Sequence, residues 1–204
     1  MRDTQISAIT AVPKPRRGRR LLLVALGAGL VAATLAANGC STTIPSRDPT
    51  GERFPAVVGQ SLEKERTEMP GAFAGRPAVL LVGYKQGTQF DLDRWLLGLM
   101  QAGVDAELVE VPTIPGLVPT IASGWINDGM RSGIPREDWG SVVTLYGSAA
   151  KPVAELTGNE NGRRSRVIVL DAEGTIVWFD DAGYSARKAL EVAELVASLA
   201  SEAG

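Results

Sequence analysis

The sequence predicts an α/β domain. It has a mixed, mostly parallel central sheet with helices on both faces, closed by a C-terminal β-hairpin and one more helix. Three observations carry this. Residues 77–84, PAVLLVGY, form a nearly continuous apolar run, the pattern of a strand covered on both faces. The apolar runs alternate with stretches of helical period, which implies a parallel sheet between helix layers. Residues 166–179, RVIVLDAEGTIVWF, are two β-rich runs joined by a turn containing Gly174, a hairpin pattern.

The elements follow in order. Residues 54–62, FPAVVGQSL, and 65–70, ERTEMP, are short extended segments punctuated by Gly and Pro. After the first buried strand, Phe90 to Ala102 reads as a helix. Leu92, Trp95, Leu96, Leu99 and Met100 fall on one stripe, and Gly103 ends it. Residues 106–114, AELVEVPTI, form a strand stopped by Pro115, and a helix from about Pro119 to Arg131 follows. Residues 141–147, SVVTLYG, are a strand and 149–158, AAKPVAELTG, a short helix. After the hairpin, Ser185 caps a helix running to about Ser201, with Val192, Val196 and Leu199 turned inward.

The 204 residues suit one domain with a short appendage, and charge divides them unevenly. Residues 1–40 hold six Lys or Arg and one acid, whereas the remainder holds 15 basic and 22 acidic residues. An acidic body argues against nucleic acid, whose affinity comes largely from neutralising phosphates. The chain has no histidine, which removes the usual general base and the commonest metal ligand. Asp91 and Asp93, or Asp180 and Asp181, are too sparse for a calcium loop, and no phosphate-binding glycine pattern occurs. No metal and no cofactor is expected.

Residues 1–40 read as an export signal. Arg16, Arg17, Arg19 and Arg20 precede a charge-free apolar run from Leu21 to Ala37. Seventeen helical residues span roughly 25 Å, short against a hydrocarbon core of about 30 Å. The run ends in LAANGC, and Cys40 is the single cysteine of the chain. This stretch resembles the bacterial lipobox, which implies lipidation (palmitate among the acyl chains) at Cys40. A cut after Ala37 and an uncut anchor are the alternatives. RRLLL also resembles a twin-arginine signal, though the general export route accepts such starts too. Residues 41–53, STTIPSRDPTGER, are polar, contain two prolines and read as a flexible tether, leaving 54–204 as the domain. Ser41 beside the cysteine fits the outer membrane facing the periplasm better than the cytoplasmic membrane.

The element order over residues 54–201 resembles the thioredoxin-like sandwich. The VLDAEGTIVWF hairpin is similar to that of the peroxiredoxin branch. The chain is similar too to the thioredoxin-like mitochondrial ATP-synthase assembly factors, which lack a strict redox motif. QFDLDRW, GMRSGIP and WFDDAGYS resemble stretches of a bacterial lipoprotein family, a likeness that implies no activity. On the thioredoxin pattern, Gln86 to Gln89 falls where Cys-x-x-Cys would lie. On the peroxiredoxin pattern, Thr88-Gln89-Phe90-Asp91 replaces Thr-x-x-Cys, so a carboxylate stands for the reactive sulfur. Peroxide reduction and disulfide exchange both need a thiolate, and residues 41–204 hold none.

Two accounts of this junction remain open. In the first, Thr88 and Asp91 cap the helix as a near capping box, with Asp91 and Asp93 favoured by the helix dipole. In the second, Gln86, Thr88, Gln89 and Asp91 bind a ligand or partner, with Arg164 or Arg166 across a groove. The peroxiredoxin resemblance implies an arginine where Arg166 stands. Function follows the same division. The leading expectation is a redox-inactive, lipid-anchored module that binds or supports an envelope protein. The alternative is a non-thiol enzyme or ligand site using Asp91 with Arg166. Residues 123–139, rich in Trp, Asn and Asp, are packing plus loop or a contact surface beside Gln86.

Overall fold

A computed structural model describes residues 43–116 and 120–202. The export signal, the LAANGC stretch with Cys40, and Pro119 therefore lie outside the described residues.

Seven strands form one sheet in the order β2-β1-β5-β4-β3-β6-β7. They are β1 Val57–Ser61, β2 Arg66–Met69, β3 Ala78–Gly83, β4 Glu107–Ile114, β5 Val143–Tyr146, β6 Arg166–Leu170 and β7 Ile176–Asp180. The parallel part is confined to the centre, where β4 pairs with β3 and β5. Both flanks are antiparallel: β2 and β1 on one side, β6 and β7 on the other. The first two extended segments, broken by Gly and Pro in sequence, join the sheet as a hairpin that extends it beyond β5.

The helices are α1 Gln89–Gln101, α2 Thr120–Gly133, α3 Lys151–Thr157 and α4 Ala186–Glu202. Two cores lie on the two faces of the sheet, as the period-2 pleat requires. Leu80, Val82, Val109, Val111, Ile168 and Leu170 join Phe54, Phe73 and Val153 of α3. Val79, Leu81, Val167 and Val169 join Leu92, Trp95 and Leu99 of α1 with Val192 and Val196 of α4. The α1 stripe is narrower than its sequence suggests. Met100 is 63% exposed, and Gly98 is buried in its place. The Tyr184 ring lies against Gly98 so closely that a Cβ there would sit 2.4 Å from Cε2. A long-range aromatic contact thus replaces the side chain that helical period alone would place there. At α4, Ser185 Oγ accepts from Lys188 N, the cap the sequence predicts.

Most of the expected tether is not free. Residues 44–53 run along the body as a strap. Asn159 Oδ1 accepts from Ile44 N at 2.8 Å, and Ile44 O accepts from the amides of Asn159 and Glu160. Further along, Gly51 N donates to Ile176 O, Ile176 N donates to Glu52 O, and Arg53 bridges Thr175 in antiparallel fashion. The physical reason is the exposed edge of β7, whose unpaired backbone groups offer a template that composition does not reveal. Gly158, at φ +71°, lets the strap approach, since a Cβ there would lie 2.2 Å from Pro45 O.

Candidate functional site

The junction between β3 and α1 is a short loop followed by a 3₁₀ turn, Gln86–Thr88, that leads into the helix. Opposite it lies the loop between α3 and β6, residues 158–165, which contains NGRRS. The two loops close against each other at Thr88 and Asp91, whereas Gln86, Gln89 and Arg164 stay exposed.

Thr88 is fully buried. Its Oγ1 donates to Gly162 O at 2.6 Å and accepts from Lys85 N at 3.3 Å. It makes no side-chain cap on α1. The capping-box expectation is therefore corrected. Thr88 has its own φ and ψ in the helical region, which directs Oγ1 away from the first amides of the helix and toward the facing loop.

Asp91 is also turned outward from its own helix. Oδ2 accepts from Ser165 N at 3.0 Å and Ser165 Oγ at 2.7 Å, while Oδ1 accepts from Tyr184 N at 3.0 Å. Partial burial pushes its carboxyl pKa up. The bonds from Ser165 and Tyr184, with the nearby Arg164 charge, outweigh that and hold it below the usual carboxylate value. An acid poised to deliver a proton near neutral pH needs the opposite shift. Asp91 also positions an aromatic contact. Tyr184, gripped by its amide, sets its ring 5.6 Å from Trp95 at 85°, one helical turn further along α1.

Arg166 opens β6 and is fully buried. Nη1 donates to Arg164 O at 2.9 Å, and Nη2 donates to Glu160 O and to Ser46 Oγ of the strap. Its Cζ stands 5.3 Å from the centroid of the Tyr84 ring. No carboxylate pairs with it among the described residues, and Nε has no hydrogen-bond partner there. Burial lowers its pKa from the ordinary arginine value. Beside it, burial pushes the Tyr84 hydroxyl up to about 12, although Thr157 and the Arg166 charge pull the other way.

The remaining expected residues divide. Gln89 Nε2 donates to Asp93 Oδ1 at 2.8 Å and to Glu110 Oε1 at 2.9 Å, bridging two carboxylates. Burial raises the Glu110 carboxyl above its usual value despite that bond. Arg164 is exposed and donates through Nη1 to Ala182 O. Gln86 is exposed, and its side chain makes no hydrogen bond among the described residues. The structure thus brings Thr88, Asp91, Arg164 and Arg166 into one cluster and leaves Gln86 outside it. Sequence reasoning missed Ser165, Gly162, Tyr184, Tyr84 and Ser46. Their contacts to Asp91, Thr88 and Arg166 span 74–120 positions, and no local pattern signals them.

The stretch at 123–139 packs elsewhere. Asn127 Oδ1 accepts from Tyr146 Oη at 2.8 Å, Arg131 Nε donates to Leu62 O at 2.7 Å, and Trp139 Nε1 donates to Ile134 O. Trp125 is 80% exposed.

No family model and no curated protein matches the sequence. Solved structures do. A protein assigned as a disulfide isomerase from Bacteroides thetaiotaomicron is 12% identical, with a TM-score of 0.52 over 78% of this chain and 95% of that one. A thiol peroxidase from Chromobacterium violaceum is 12% identical, with a TM-score of 0.51 over 79% and 93%. An SCO1/SenC family lipoprotein from Bacillus anthracis is 10% identical, with a TM-score of 0.50 over 75% and 99%. At such identities the likeness establishes the fold alone: the domain is a thioredoxin-like α/β sandwich.

Proposed function

We propose that this protein is a lipid-anchored thioredoxin-like module of the cell envelope that binds or supports another envelope protein without thiol chemistry. The observation that carries the reading is the state of the β3–α1 junction. Where the fold's resemblance places a reactive sulfur, Asp91 is held by three donors and serves the packing of Tyr184. A thioredoxin-like scaffold so closed retains surface and rigidity but no nucleophile. The only thiol, Cys40, follows the apolar run and is consumed by the acyl groups. One acyl chain binds membranes marginally, and each buried CH₂ adds about 0.8 kcal/mol, so several chains on one cysteine hold firmly. The neighbouring folds include a lipoprotein, which is consistent with anchorage, and Ser41 favours the periplasmic face of the outer membrane.

In-cell photo-crosslinking tests the binding role. A crosslinker is placed singly at the exposed positions Gln86, Leu97 and Trp125 and, as a comparison, at Glu173. A discrete protein adduct from one of the first three and not from Glu173 supports a dedicated surface. No adduct from any of them overturns the proposed role.

A further inference from the structure

We propose that the domain docks on an anionic phospholipid surface through the end of the sheet where β3 leaves and β6 enters. Phe90 is the apolar contact there, and Lys85, Arg163 and Arg164 are the electrostatic ones. This inference rests on lipidation at Cys40.

The length of chain before the strap carries the first part. Ile44 is fixed to Asn159 and Glu160 by three hydrogen bonds. Four peptide links separate it from Cys40, so the acylated residue lies within about 14 Å of Ile44. A body of this size has a radius of gyration of about 15 Å, hence a diameter near 40 Å. The tether is too short to let the domain stand away or turn over. The end that carries the 158–165 loop must lie at the membrane.

The chemistry of that end carries the second part. Phe90 is 80% exposed in the first turn of α1, next to the Asp91 that binds Ser165. An apolar ring presented beside cationic side chains suits burial at the headgroup–acyl boundary. Lys85 and Arg163 are exposed, and neither forms an ion pair among the described residues. The Lys85 stem runs along Gly162, and the Arg163 stem along Gly87. Arg164 is exposed beside them. Acids share this end: Asp91 is bonded by Ser165 and Tyr184, Asp93 by Gln89 and Glu160 by Ser46 N, all neutral donors, and Asp181 lies within electrostatic reach of Arg166. Beside its own anchor the acidic body therefore presents Phe90 with three exposed cations, Lys85, Arg163 and Arg164, that no carboxylate pairs among the described residues. Basic residues near an anionic membrane are attracted to it. The opposite end of the sheet holds the β6–β7 turn with Glu173, which is exposed.

The test uses the mature acylated protein in vesicles of phosphatidylcholine alone or mixed with phosphatidylglycerol. Q86C or E173C supplies a single free thiol for an NBD label, and the mass of the N-terminal peptide confirms the acyl groups. The label at position 86 should brighten and shift to the blue, more strongly with phosphatidylglycerol. The label at 173 should stay in water on both vesicles. Raising salt to about 1 M shrinks the Debye length to about 3 Å and should remove the phosphatidylglycerol increment. Adding K85E and R163E, or F90S, to Q86C should weaken the response at 86 while the protein stays vesicle-bound and folded by circular dichroism. An acylated protein whose label at 86 stays aqueous, or whose two labels respond alike, overturns the orientation and leaves the lipoprotein reading standing. An N-terminal peptide without acyl mass overturns both.

Discussion

Asp91→Ala removes the acceptor for three donors on two other segments of the chain. A hydrogen bond to a charged group is worth about 1.5–3 kcal/mol, and a buried donor left without a partner costs about 1–3 kcal/mol. Ser165 is fully buried, whereas Tyr184 and Asp91 are only half-buried. Water therefore replaces part of what is lost, and solvent screening reduces the charge contribution. The expected cost is about 2–4 kcal/mol, above the typical 1 kcal/mol for a helix cap. Asp91→Asn keeps acceptor oxygen on one side and should cost about half as much. The sign of the pH dependence follows from the depressed carboxyl pKa. The stabilisation is fully present above the unfolded carboxylate value and is lost as pH falls through the lower folded value. Urea unfolding at neutral pH, repeated in steps toward acid, measures both effects. The stability deficit of Asp91→Ala relative to wild type should shrink at the acid end, because the protonated carboxyl accepts more weakly. A cost below about 1 kcal/mol, or a deficit that does not shrink with acid, would refute the bracket assigned to Asp91.

Other outcomes follow from the same geometry. Thr88→Val, which keeps shape but removes the hydroxyl between Lys85 N and Gly162 O, should cost about 1–3 kcal/mol by thermal unfolding, with Thr88→Ser restoring most of it. Glu110→Gln should raise the melting temperature at neutral pH. Burial elevates the Glu110 pKa, so its ionised form is a penalty above that value that the amide does not carry. Gly98→Ala forces the Tyr184 ring to move, and the overpacking of about 1–3 kcal/mol should exceed the helix-propensity gain of about 1 kcal/mol. A more stable Gly98→Ala variant would contradict the close approach.

The fold was legible because its signals are local. PAVLLVGY announces β3, the LDAEGT turn joins β6 to β7, and the periods at Leu92–Leu99 and Val192–Val196 locate α1 and α4. What sequence could not reveal depends on partners far along the chain. Asp91 looks like a first-turn acid of α1, and its bonds to Ser165 and Tyr184, 74 and 93 residues away, have no local signature. The strap shows the same limit. STTIPSRDPTGER is polar enough to read as free chain, but its backbone finds the open edge of β7, and edges are properties of topology. Arg166 was found through resemblance and strand position. Its carbonyl cage and the Tyr84 ring beneath it required the folded chain.

Thiol chemistry is the direct alternative to a scaffold role. The most telling measurement is turnover of peroxide and of a protein disulfide by the purified mature protein, supplied with a dithiol reductant. The account predicts rates indistinguishable from the blank, because no cysteine stands at the β3–α1 junction and the proposed function assigns Cys40 to lipidation. Turnover above the blank that disappears in Cys40→Ser would contradict it and return Cys40 to service as a working thiol.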